Sequence, residues 1–69
     1  MATAPAESKM NRLRVGDVVS YEDGSTWPPV HLEGPIVAFT NDECTYLSID
    51  FGDAGGLREL TEDEVTRVA

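Results

Sequence analysis

Leu47, Ile49 and Phe51 alternate with Ser48 and Asp50, then a glycine-rich stretch, Gly52-Asp53-Ala54-Gly55-Gly56, leads into Leu57-Arg58-Glu59-Leu60. An alternation of period two is the mark of a strand with one wet face. Gly52, Gly55 and Gly56 are expected to supply the positive φ angles of a reversal. Thr61 followed by Glu64 reads as a capping box, too near the C-terminal end of this sequence to open a long helix. A strand, a turn, a second strand and one helical turn therefore fill the last third of a chain of 69 residues.

Two more strands are expected upstream and one after the helical turn. The first runs from Leu13 or Val15 to Tyr21, with Gly16-Asp17 as a turn or bulge that resets the alternation. Glu22 to Glu33 reads as the longest irregular segment, because Asp23-Gly24-Ser25 is turn chemistry and Pro28-Pro29 removes two amide donors. Gly34 to Thr40 resumes as a strand with apolar side chains on both faces, Ile36 and Ala38 against Val37 and Phe39. Asn41-Asp42-Glu43 is a hairpin connection whose Asn and Asp tolerate left-handed angles. The third strand is placed at Cys44 to Phe51, the fourth at Leu57 to Leu60 and the last at Thr66 to Val68.

Only Thr61 to Val65 qualifies as helical, and five residues make a single 3₁₀ or α turn. The fold class expected is therefore all-β, a five-stranded small barrel with one 3₁₀ turn before the last strand. The inward row would run from Val15 and Val19 through Ile36, Leu47, Ile49, Phe51, Leu60 and Val68. Residues 1–12 are expected to form a disordered tail and residues 13–69 the barrel domain. A chain of this size buries roughly 60% of its unfolded surface and holds a small core.

Charge limits what such a barrel would touch. Lys9, Arg12 and Arg14 against Glu7 leave residues 1–14 at +2, whereas residues 15–69 set Arg58 and Arg67 against twelve carboxylates, a balance of −10 within a total of −8. Nucleic-acid affinity comes mainly from cations neutralising phosphates, so direct DNA or RNA binding is not expected. The anionic surface is a solubilising coat, a face that steers toward a basic protein, or a mimic of a nucleic-acid backbone. No apolar run reaches the ~18–20 residues that span a bilayer, and the N-terminal residues lack a signal-peptide pattern, so a cytoplasmic protein without membrane contact is expected. The lone Cys44 has no disulfide partner and reads as a small, semi-buried side chain.

The pattern Gly16-Asp17-x-Val19, Gly34-x-Ile36, Leu47-x-Ile49-x-Phe51, Leu60 and Val65-x-x-Val68 resembles the SH3-like and Tudor-like barrels. That group includes KOW modules, the C-terminal Tudor-like domains of certain DNA helicases, and CarD-type polymerase-binding domains. The resemblance implies a long loop after the first strand and binding of proteins or nucleic acids through rim aromatics. The acidity of this chain departs from the basic, nucleic-acid-binding members and leaves protein binding. A second set, Gly16-Asp17-x-Val19, Gly24-x-x-Trp27 and Gly34-x-Ile36-Val37, is similar to the small plasmid-encoded dihydrofolate reductases. Leu57-Arg58-Glu59-Leu60 stands where those enzymes carry the Val-Gln-Ile-Tyr run of their pore, so neither the amide nor the phenol is supplied.

The residues best suited to an interaction surface are Tyr21, Trp27, His31, Phe39 and Tyr46, with Glu22, Asp23 and Glu33 as a charged rim. Trp27 lies in Ser25-Thr26-Trp27-Pro28-Pro29; it either folds over the barrel end or stands as a preorganised binding platform. Four rings with Glu22, Asp23 or Asp50 would also satisfy the composition of a cage for a methylated cation. His31, the single histidine, is a general base oriented by Glu33, a pH-sensitive contact or a solvated loop residue. Its surroundings in sequence supply no triad partner, and the spacing of Asp50, Asp53 and the other acids does not match a calcium loop, so no catalytic residue, metal or cofactor is assigned. The function expected is that of an accessory or regulatory protein-interaction module with a basic partner. A nucleic-acid mimic is the alternative and a small oligomeric enzyme the second; the two apolar faces of Gly34 to Thr40 also permit a homodimer.

Overall fold

The computed structural model describes residues 6–9 and 11–68. Five antiparallel strands form one sheet: β1 (Val18–Asp23), β2 (Val30–Phe39), β3 (Tyr46–Asp50), β4 (Leu57–Thr61) and β5 (Thr66–Arg67). Two 3₁₀ turns, Gly52–Ala54 and Glu62–Glu64, are the remaining regular elements among the described residues. The strand order is β4-β3-β2-β1-β5, so the hydrogen-bonded sheet is open, with β4 and β5 at its edges. No helix of the described residues is long and apolar enough to cross a membrane.

β2 organises the sheet because its two halves serve different neighbours. Val30 to Pro35 pair with β1, from Asp23↔Val30 to Val18↔Pro35. Ile36 to Phe39 pair with β3, and the register slips between Ile36 and Ala38. Pro35 cannot donate to a ladder, and it stands at the change of partners, where the pairing with β1 ends. The slip also explains the two apolar faces read for this strand. Ile36 is buried and Val37 exposed as alternation requires, but after the bulge Ala38 is exposed and Phe39 packs against the core.

Gly34 makes the change of direction sterically feasible. A Cβ there would lie 2.0 Å from the Asp50 carbonyl oxygen and 3.1 Å from the Phe51 Cα, so the backbone after β3 presses on β2 where no side chain stands. Gly52 and Gly56 have φ of +66° and +67°, as the reversal requires, whereas Gly55 has φ −142°. Gly55 is needed for space instead: a Cβ would meet Leu32 Cδ1 at 2.9 Å.

The core consists of Leu13, Val19, Leu32, Ile36, Leu47, Ile49, Phe51, Leu60 and Val65, with Tyr21 and Phe39 packed at its margin. Leu47, Ile49 and Phe51 point inward, as their alternation demands. Two expected core positions are corrected. Val15 is 55% exposed, because it lies at the corner of the turn closed by the Asp17 amide on the Arg14 carbonyl and by the Arg14 amide on the Asp17 carboxylate, and Leu13 fills the core in its place. Val68 is 50% exposed, because β5 is only two residues long and Val65, before it, takes the inward position.

Other boundaries move for similar reasons. Glu22 and Asp23 belong to β1 and Val30 to Glu33 to β2, so the long irregular segment contracts to Gly24–Pro29. The left-handed residue of the β2–β3 connection is Cys44, φ 59°, while Asn41 works through its side chain, accepting from the Thr45 and Tyr46 amides at 3.0 and 3.1 Å. Thr61 caps no backbone amide; its hydroxyl donates to the Glu64 carboxylate at 2.7 Å. Gly52–Ala54 adds a second 3₁₀ turn to the one expected. The disordered lead-in read over 1–12 falls partly on residues 1–5 and Met10, outside the described residues. Within the described part, Ser8 is buried and pairs with Leu13, its amide donating to the Leu13 carbonyl and its hydroxyl accepting from the Leu13 amide at 2.9 Å.

Gly34→Ala is expected to cost about 3 kcal/mol or more, because its clash is with backbone that cannot rotate away. Gly55→Ala is expected to cost less, since the Leu32 side chain it meets can change rotamer. Urea unfolding of the two variants beside the wild type checks the order.

Candidate functional site

The β1–β2 hairpin carries most of the residues singled out from the sequence. On the face away from the core, Glu22 stands directly opposite His31 across the ladder, and Glu33 lies two residues further along the same side of β2. The ring of His31 joins them, Nδ1 lying 2.6 Å from Glu22 Oε1 and Nε2 2.8 Å from Glu33 Oε2. Two carboxylate acceptors, one at each ring nitrogen, call for both N–H groups and therefore for the imidazolium. The hydrogen bonds that the ring donates to Glu33 and, second, to Glu22 accordingly raise the His31 pKa above its ordinary 6.5. All three side chains are about half exposed or more, so water screens the attraction.

At the end of the same hairpin, Asp23 anchors the loop. Its Oδ1 accepts from the Ser25 amide at 3.0 Å, closing an Asx turn, and its Oδ2 pairs with Arg58 Nη1 at 3.0 Å. Hydrogen bonds from Ser25, hydroxyl and amide, with that from Arg58, lower the Asp23 pKa to about 2. Arg58 also donates from Nε to the Gly55 carbonyl at 3.2 Å. One guanidinium thus ties the β3–β4 turn to the root of the β1–β2 loop, although β4 and β1 are not neighbours in the sheet. Sequence reading missed Arg58. The available signal was that it is one of two cations in residues 15–69, but twelve carboxylates compete for it.

Above that anchor Trp27 is 90% exposed, so it is not part of the core. It occupies a six-residue loop, with a cis bond to Pro28, and Pro29 leads directly into β2. The other aromatic candidates do not join it. Tyr21 lies on the inner side of β1 and stacks on Phe51, ring centroids 6.2 Å apart at 28°, and Phe39 packs against the core. Tyr46 is half exposed but begins β3, where its carbonyl accepts from the Thr40 amide. That is the far end of β2 from Trp27, ten residues of strand or about 33 Å of contour away. The rings of Tyr21, Trp27, Phe39 and Tyr46 are therefore spread along the sheet rather than gathered into a cage. Trp27 on its anchored loop and the Glu22–His31–Glu33 row belong to the same hairpin.

No family model matches this chain, and neither a curated protein nor a solved structure matches it.

Asp23→Asn is expected to lower stability at neutral pH. A carboxyl with a folded pKa of about 2 against an ordinary 3.8 contributes stability that is complete above the ordinary value and is lost as pH falls through the folded one. The difference in urea midpoint between wild type and variant should therefore be largest near neutrality and mostly gone by about pH 2.

Proposed function

We propose that the chain is a small, acidic, SH3-like barrel that works in the cytoplasm as a protein-interaction module, using the β1–β2 hairpin to dock a partner with a basic surface. Support for the barrel comes from the strand order, from the 3₁₀ turn before the last strand, and from the Arg58–Asp23 pair, which draws the edge strand β4 toward β1. A short barrel of this kind leaves its loops free to specialise, and here one loop stands out.

The observation that carries the functional reading is Trp27. An indole left 90% exposed on a loop held by two prolines and an Asx turn stabilises nothing in the core. The backbone that carries it is restrained by the prolines and the Asx turn, so docking it against a partner would sacrifice little backbone freedom. Aromatic side chains of this kind form the centres of protein interfaces, with charged groups around them. Glu22 and Glu33 would supply charge from the outer face of the same hairpin, and a net −10 over residues 15–69 would speed encounter with a cationic surface. Tyr46 belongs to the opposite end of the sheet and would lie outside such an interface.

Trp27→Ala is expected to weaken partner binding by about 2 kcal/mol or more and to shift unfolding by less than about 0.5 kcal/mol. A pull-down from the host with both proteins, followed by titration calorimetry on the captured partner, measures the first. Thermal unfolding measures the second. Folding lost with binding intact would return Trp27 to a structural role. The same titration at increasing salt separates the docking reading from nucleic-acid mimicry: an aromatic-centred site gives a shallow dependence, a phosphate-like surface a steep one.

A further inference from the structure

We propose that Glu22, His31 and Glu33 form a proton-dependent clasp on the outer face of the β1–β2 hairpin, closed over both carboxylates when His31 is charged and releasing one when it is neutral. The part of this proposal that concerns partners rests on the docking reading given above. The clasp itself rests on geometry.

The imidazole ring lies between two carboxylate oxygens, 2.6 Å from one and 2.8 Å from the other, with Glu22 contributed by β1 and Glu33 by β2. Only the imidazolium has an N–H to offer at each ring nitrogen. When His31 gives its proton to solvent, one nitrogen keeps its N–H and the other presents a lone pair. That lone pair faces a carboxylate, so one of the two acids must turn out to water. Among the described residues the charged groups that act on the ring are Glu22, from the facing strand, and Glu33, from its own. Both hydrogen bonds favour the charged ring, which places the transition above the ordinary histidine value of 6.5. The row carries one net negative charge when the clasp is closed and two when it is open. Because Glu22 and His31 form the cross-strand pair next to the last one before the loop, this change of charge occurs at the base of the loop that carries Trp27. A basic partner would thus be attracted more strongly as pH rises through the transition.

The linkage to stability runs in the opposite sense. A histidine whose pKa is raised on folding contributes stability that is complete below the unfolded value and is lost as pH rises through the folded one. The closed clasp therefore favours the fold, and the open one favours a cationic ligand.

His31 is the only histidine, so its C2 proton gives one resolvable signal in a proton NMR titration of the intact protein. The wild-type midpoint is expected above 6.5, to fall in Glu22→Gln and in Glu33→Gln, and to return to the ordinary value in the double variant. A wild-type midpoint at 6.5, or one that neither substitution moves, overturns the clasp. A nona-arginine peptide then serves as the cationic probe. Its affinity for the wild type is expected to rise about five-fold from the acid to the alkaline side of the transition, the effect of one unit charge at contact distance in water. His31→Gln should show no such rise. Equal pH dependence in wild type and His31→Gln overturns the coupling. A peptide that fails to bind at any pH, beside a midpoint that moves as expected, upholds the clasp and removes the docking reading. Binding that is insensitive to Trp27→Ala but follows His31 does the same.

Discussion

Everything in this fold depends on one close approach, the backbone of Asp50 and Phe51 lying against Gly34. A Cβ at that position would be 2.0 Å from a carbonyl oxygen, a distance no rotamer change relieves. Because the space is empty, β2 can hand over from β1 to β3 within a few residues, and the two halves of the chain share one core. Among the described residues the core holds nine buried apolar side chains, so small shifts in this crossing would expose a large fraction of it. The β-bulge between Ile36 and Ala38 and the proline at position 35 sit beside that contact, where the ladder is already changing partners.

The same crossing determines where the exposed chemistry lies. The first half of β2 holds His31 and Glu33 on the outer face opposite Glu22, while its inner face delivers Leu32 to the core. Asp23, on the inner side at the end of β1, meets Arg58 from β4 at 3.0 Å, although two strands separate β4 from β1 in the sheet. Polar pairing on both sides of one hairpin gives the loop at its tip a firm base. Trp27 is thereby presented by a structure that does not need its hydrophobic surface. The division of labour is clear: carboxylates and cations hold the hairpin, and the indole remains free.

Parts of this were legible in the sequence because they rest on local rules. The period-two run Leu47-Ser48-Ile49-Asp50-Phe51 could bury its odd positions only as a strand, and those positions are buried. Turn chemistry at Asp23-Gly24-Ser25 and the two prolines that follow mark the loop that carries Trp27. The first strand illustrates the limit of such rules. Val15 and Leu13 share a face by spacing, but the hydrogen-bonded turn at Arg14–Asp17 turns the chain, and Leu13 reaches the core while Val15 does not. Likewise Gly55 appeared in a run of turn glycines for its φ, yet its role is to leave space for Leu32.

The sequence by itself determined that this chain is all-β, acidic and built around alternating strands, because composition and periodicity are properties of neighbours along the chain. It also placed an aromatic beside two prolines. Only the tertiary structure decided that Trp27 faces solvent, that Tyr46 is at the other end of the sheet, that Arg58 rather than any other cation meets Asp23, and that His31 lies between two acids. The physical reason is register. Which side chains meet across a sheet depends on a bulge and a glycine crossing whose consequences extend over tens of residues, and no local pattern encodes the distance between them.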